Sequence, residues 1–344
     1  MFLVKSNHTP RPDKIIPKNF HCYSIINSQL FQGGLIMSDK KVPKNFQVVP
    51  VKNFKITIDY LSREALNAIL NPNESKEGVV IESRSKGITS KYTIINVSSN
   101  GVKLTEFDRA VLNAAISEQT AGNEYTTPEI IYHLIGGGHV LTNKMRQKIL
   151  DSFERLATVR IVVEMHPDSK KKLRYDLKDK TTTYRGYLMP TESVDIRING
   201  QHSSSIHFLK QGIIFFIADM KDQMLTCSPD LLNSPIKHSE RGIALNHYLL
   251  RRTLEIKGSH DSRKHNSRVK PLRSVITFDD LLKNCGLENC SREQRRNIKK
   301  IVESILTFFV EQNIIKSFKF ETHGQKIHSI VIDFSSNSCE ESET

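Results

Sequence analysis

The stretch TNKMRQKILDSFERLATVRIVVEM, residues 142–165, decides how the rest is read. At about 100° per residue, Met145, Ile149, Phe153 and Leu156 fall in one narrow arc, which predicts a helix with a buried stripe. Asn143, Lys144 and Gln147 lie on the opposite face, and Arg146 and Lys148 flank them. Further along, the outward positions become Asp151 and Glu154, which repel phosphates. The expected contact zone is therefore the leading half alone, the half that a helix-turn-helix inserts into the major groove. The helix then runs straight into VRIVVEM, a β-branched strand, with no Gly or Pro between. A recognition helix that feeds directly into the first strand of a wing needs no linker. For this segment alone, a solvated amphipathic helix stands as the alternative.

Two helices are predicted upstream. In LTEFDRAVLNAAISEQTAG (104–122), Thr105 is the N-cap, Phe107, Val111 and Ala114 form an apolar stripe, and Gly122 stops the helix. In TTPEIIYHLIGGG (126–138), Thr127 caps, Pro128 takes the first helical position, Glu129 suits the positive helix end, and three glycines terminate it. Downstream, VRIVVEM and TYRGYLMP (183–190) read as strands around the loop HPDSKKKLRYDLKDK, whose Lys170, Lys171, Lys172 and Arg174 suit phosphate contacts from a wing.

The same order recurs. SERGIALNHYLLRRTLEIKG (239–258) is a long helix, followed by a basic loop over 259–273. TFDDLLKNCG is a short helix capped by Thr277, and SREQRRNIKKIVESILTFFVEQN is a long one capped by Ser291. IIKSFKF and KIHSIVIDF then form a hairpin. In this second third helix, Ile298, Val302, Ile305 and Phe309 form the buried stripe. Arg296 and Lys300 lie opposite, Arg292 and Lys299 on one flank, and Arg295 nearer the apolar edge, where it snorkels. Between the copies, SVDIRI, SIHFLK and IIFFIA read as strands; before the first copy, KITIDY and KYTIINVSS read as strands and SREALNAIL as a short helix. The repeat is one of architecture, with little residue identity.

The resulting expectation is an α+β protein of two tandem winged helix-turn-helix domains, each three helices plus a β-hairpin wing, with extra strands joining them. Residues 1–53 form a disordered extension, 54–236 the first domain with flanking strands, 237–334 the second, and 335–344 an acidic disordered tail. Gln32–Gly34 precede Met37 at the distance of a bacterial ribosome-binding sequence from a start codon, so translation from Met37 is one reading of the extension and an ordinary tail the other.

The 344 residues, 38% hydrophobic, suffice for two ordinary cores. Lys plus Arg number 50 against 37 Asp plus Glu, a net +13 with a pI near 9.4, which favours a polyanionic partner. The longest apolar run, GIIFFIADM, is far shorter than the roughly 20 residues of a spanning helix. The five cysteines are scattered; Cys285 and Cys290 are the single close pair, without a second pair to complete a zinc site, so no metal or cofactor is expected. No nucleotide-binding Gly-x-x-x-x-Gly-Lys motif is present. His202 and His207, five apart, face opposite sides of a strand and do not make the His pair of a nicking enzyme. No catalytic residues are assigned.

With both copies placed, LTEFDRAVLNAAISEQTAGNEYTTPEIIYHLIGGG resembles the first winged-helix domain of replication initiators from plasmids and mobile elements of low-GC bacteria. GYLMP and HYLLRR fall where that family has similar segments, and the resemblance covers about 102–333. It implies a bacterial, cytoplasmic protein that binds directly repeated double-stranded DNA sites at an origin. It further implies homodimers in many members and recruitment of the host initiator and replicative helicase. A transcriptional regulator on the same scaffold, a strand-nicking replication enzyme and a protein–protein scaffold are the alternatives.

Overall fold

The computed structural model describes residues 49–57, 79–85, 88–96, 104–138, 140–167, 182–198, 201–220, 224–265, 271–324 and 326–334. The predicted helix over 62–70, residues 1–48 of the predicted N-terminal extension, the tail 335–344 and the Lys170–Arg174 loop lie outside the described residues, whereas residues 49–53 of that extension are described. Residues 195–203 group apart from 48–194 and 204–344, and the description below concerns the latter.

The chain is mixed α+β, with seven α-helices and four small sheets among the described residues. The first copy holds α1 (Glu106–Ala121), α2 (Pro128–Leu134) and α3 (Asn143–Thr158). They are followed by the antiparallel pair β5 (Val159–Pro167) and β6 (Thr182–Tyr187). The second holds α5 (Glu240–His265), α6 (Phe278–Asn284) and α7 (Arg292–Glu311), followed by β11 (Ser317–His323) and β12 (Lys326–Asp333).

Each strand pair carries additions that alternation alone does not reveal. β3 (Ile88–Asn96) pairs antiparallel along the whole of β5, and β2 (Val79–Ser85) pairs with β3, giving the order β2-β3-β5-β6. Short strands precede each second helix: β4 (Tyr125–Thr126) and β10 (Val275–Thr277). β10 joins its own hairpin at β12, whereas β4 pairs with β8 (Gln201–Phe208), which neighbours β7 (Thr191–Ile198).

Two sequence expectations are corrected. IIFFIA lies in α4 (Ile213–Met220), not in a strand. A continuous apolar run carries no period, so a buried helix and a buried strand look alike in it. The helix predicted to stop at Gly258 continues as α5 to His265, through the first part of the predicted basic loop. Gly258 has no packing neighbour that a Cβ would meet, and one glycine does not end a helix of this length.

α1 is buried nearly all round, beyond its predicted stripe. Asn113, Ser117, Glu118 and Asn123 are buried with Phe107, Val111 and Ala114. An extended segment laid along α1 accounts for them. Val49 N–H donates to Asn123 Oδ1 (2.8 Å), and Asn123 Nδ2 returns a bond to Val49 O (2.9 Å). Lys55 N–H donates to Ser117 Oγ (2.8 Å) and Thr57 N–H to Asn113 Oδ1 (3.4 Å). That segment continues as β1 (Phe54–Thr57), paired with β9 (Met224–Cys227). Buried polar groups tolerated only when bonded thus become the clamp for a strand. On its other sides α1 packs against α3 and α5, and α5 also packs against α7.

Candidate nucleic-acid interface

α3 and α7 are built alike at their leading ends. Thr142 Oγ accepts from Met145 N–H (3.2 Å), and Ser291 forms a capping box with Gln294. Met145, Ile149, Phe153 and Leu156 are buried in α3; Ile298, Val302, Ile305 and Phe309 are buried in α7. Stripe and cap together fix which face each helix turns outward.

The second helices repeat the pattern residue by residue. Thr127 and Thr277 cap α2 and α6. Each seven-residue helix ends on a buried residue, Ile135 or Cys285, followed by a left-handed glycine, Gly136 (φ +77°) or Gly286 (φ +67°). In each, the second helical residue is acidic and binds the fourth residue of the third helix: Glu129 Oε1 to Arg146 Nη2 at 2.5 Å, and Asp279 Oδ1 to Arg295 Nη1 at 3.4 Å. Asp279 also accepts from Lys326 Nζ of β12 (3.2 Å); Lys326 first and then Arg295 hold its carboxyl below the ordinary value. The same kind of pair bridges the second and third helix in both copies.

The predicted contact residues divide accordingly. In α3, Asn143 and Lys144 are exposed, Gln147 is exposed and donates to Asp151 Oδ1 (2.7 Å), Arg146 is held by Glu129, and Lys148 is ion-paired with Glu240 at the start of α5. In α7, Arg292, Arg296 and Lys300 are exposed, and Lys299 Nζ lies 5.1 Å from the centre of the Phe320 ring of β11. Lys170, Lys171, Lys172 and Arg174 lie outside the described residues. Toward the trailing end of α7, a groove of about 390 Å³ between Pro235 and the helix is lined by Lys300 but also by Glu303 and Glu311, so the positive surface does not extend there.

Behind these faces is a buried ionic frame that sequence reading passed over. Asp108 uses both oxygens: Oδ2 accepts from Thr105 N–H (2.7 Å), closing the α1 capping box, and Oδ1 accepts from Ser152 Oγ (2.7 Å) and Arg155 Nη2 (2.7 Å) of α3. Glu106 Oε1 accepts from Arg251 Nε and Nη2 of α5, both at 3.3 Å. Arg251 Nη1 donates to Glu255 (3.1 Å), which also binds Arg252. His247 Nε2 donates to Ile135 O (3.1 Å); burial pushes its imidazole down to about 4, so it is neutral there. Burial also lowers the Arg109 guanidinium, 3.3 Å from Glu106, to about 10. The segments LTEFDRAV and HYLLRR therefore meet: Glu106 belongs to one and Arg251 to the other. The signal available in sequence was the density of charge on helices that also carry apolar stripes.

Among the described residues no group of three or more His, Cys, Asp or Glu side chains is placed to hold a metal ion, and no helix is long and apolar enough to cross a membrane. Cys285 is buried and Cys290 half-buried, both as free thiols.

No protein-family model matches the chain, and no curated protein matches it. Among solved structures, domains 2 and 3 of RctB align at a TM-score of 0.39 and 12% identity, covering 77% of this chain and 94% of that one. A selenomethionine derivative of the same domains aligns at 0.37 and 13%, covering 77% and 93%.

Proposed function

We propose that the chain is a non-enzymatic, sequence-specific double-stranded DNA-binding protein of two winged-helix units, which starts replication at a plasmid or mobile-element origin. The observation that carries the DNA-binding part is the duplicated helix–turn–helix. Both third helices carry a hydroxyl N-cap, a buried apolar stripe and an acid–arginine pair to the second helix, and both turn a polar leading end outward. A net charge of +13 suits a phosphate backbone. The initiator role rests on the resemblance of 102–333 to plasmid and mobile-element initiators, two segments of which, LTEFDRAV and HYLLRR, meet at the Glu106–Arg251 pair. Repeated origin sites, homodimers, the host initiator and the replicative helicase belong to the proposal on the same ground, as does a bacterial cytoplasmic setting.

Footprinting on the DNA flanking the protein's own gene tests it. A directly repeated protected pattern, together with loss of autonomous replication on deletion of the gene, is the expected result; protection without replication loss points to a transcriptional regulator. If about 6–10 phosphates are neutralised, affinity falls by roughly 10³–10⁵ between low and moderate salt. The double variant Arg296→Ala with Lys300→Ala weakens binding and leaves the melting temperature nearly unchanged, because both side chains are exposed. Salt-independent association would sink the DNA-binding reading.

A further inference from the structure

α3 and α7 align position by position. The fourth helical residue is Arg146 or Arg295, the seventh Ile149 or Ile298, the eleventh Phe153 or Val302, and the fourteenth Leu156 or Ile305. The outward fifth and ninth positions are then directly comparable, and they differ in kind. α3 places Gln147 and Asp151 there; α7 places Arg296 and Lys300. We infer that the two units read unlike halves of an asymmetric duplex site: α3 an adenine edge through Gln147, with Asp151 as its positioning residue, and α7 a salt-dependent anchorage through Arg296 and Lys300. This rests on the DNA-binding reading above.

In α3, Gln147 Nε2 donates to Asp151 Oδ1 at 2.7 Å. An ionised carboxylate only accepts, so the amide nitrogen is turned toward it. That leaves Gln147 Oε1 and the second N–H outward, one acceptor and one donor, the set that pairs with adenine N6 and N7 in the major groove. Of the neighbouring cations, Arg146 is paired with Glu129 and Lys148 with Glu240, which leaves Lys144 as the exposed one without an ion pair among the described residues, and Asp151 itself repels phosphate. In α7, Arg296 and Lys300 have no carboxylate partner among the described residues, and they stand one turn apart on one exposed face. Each phosphate they neutralise releases counterions.

The test uses the full chain, a duplex that it selects from a random-sequence pool, and a scrambled duplex, titrated over a range of salt. Gln147→Ala is expected to lower the selected-over-scrambled affinity ratio by about 5–100-fold, with the salt slope unchanged. Asp151→Ala should lower the same ratio while strengthening binding to the scrambled duplex. Arg296→Gln with Lys300→Gln should weaken both duplexes by similar factors and flatten the slope by about 1.8, roughly 0.9 for each phosphate. The selected sequence should lack inverted symmetry. Selection of an inverted repeat, an unchanged ratio in Asp151→Ala, or a flattened slope in Gln147→Ala overturns the division of labour while leaving DNA binding intact. If the wild-type chain selects no duplex at all, the DNA-binding reading falls first, and this inference with it. Melting temperatures equal to wild type confirm that each variant is folded.

Discussion

Asp108 and Glu118, two acids ten residues apart on α1, are both buried and treated oppositely by their surroundings. Asp108 is met by Arg155, Ser152 and the backbone of Thr105. Among the described residues the Glu118 carboxylate receives one bond, from Asn123 Nδ2 (2.9 Å), and meets no cation; burial pushes its carboxyl up to about 7, with the Asn123 bond opposing. A carboxyl whose folded value is raised favours the protonated form. Its contribution to stability is fully present below the unfolded value of 4.5 and is lost as pH rises toward 7. His247 has the opposite slope, because its lowered folded value withdraws stability as pH falls through 6.5 toward 4. The two partly cancel in the wild-type profile, so a variant must separate them. Glu118→Gln keeps an acceptor for Asn123 and cannot ionise. It is expected to match the wild type near pH 5 and to gain about 1–3 kcal/mol at pH 8, read from urea unfolding at the two pH values. An equal effect at both would show that the carboxyl does not titrate in the fold.

The short helices α2 and α6 end on the same left-handed turn, yet their glycines meet different surroundings. A Cβ on Gly136 would lie 2.1 Å from the carbonyl oxygen of Leu232, whereas a Cβ on Gly286 would meet nothing within 4 Å. Gly286→Ala is therefore expected to cost only the backbone term, about 1–2 kcal/mol. Gly136→Ala should cost several kcal/mol more than that in urea unfolding, because the backbone at Leu232 must move; equal losses would mean that the chain around Leu232 yields freely. Elements of this kind were legible in the sequence because their signals are local. The Thr127, Thr277 and Ser291 caps and the stripes of α3 and α7 all stand as periodicity and capping rules require. What was not legible depends on residues far apart in the chain. Lys148 and Glu240 are separated by 92 positions, and nothing near either predicts their pairing. The polar residues of α1 resemble a solvent face until Val49–Thr57 is laid across them. For the candidate site, the buried stripes and caps of α3 and α7 were readable, but not which of their cations are engaged with carboxylates.

Between the two copies, attachment is through α5, which packs on α1 of the first and α7 of the second. Its contacts with the first copy are both apolar and ionic. Tyr248, Leu249 and Ile256 are buried in the same core cluster as Phe107 and Val111, and Arg251 reaches Glu106 while both are almost wholly excluded from solvent. A buried ion pair adds little or no net stability over a well-packed apolar replacement, but removing one partner strands the other charge. Arg251→Met leaves Glu106 facing only Arg109, whose guanidinium has no hydrogen-bond partner among the described residues. Glu255 retains Arg252. The expected loss is about 3–5 kcal/mol, with recovery of much of it in the double variant Arg251→Met with Glu106→Gln. Because α5 is common to both copies, the loss should register in both: hydrogen exchange in α1 and in α7 is predicted to rise together in Arg251→Met. Exchange confined to α1 would show that the copies unfold independently, and α5 would then be a tether between two domains instead of a strut shared by one folding unit.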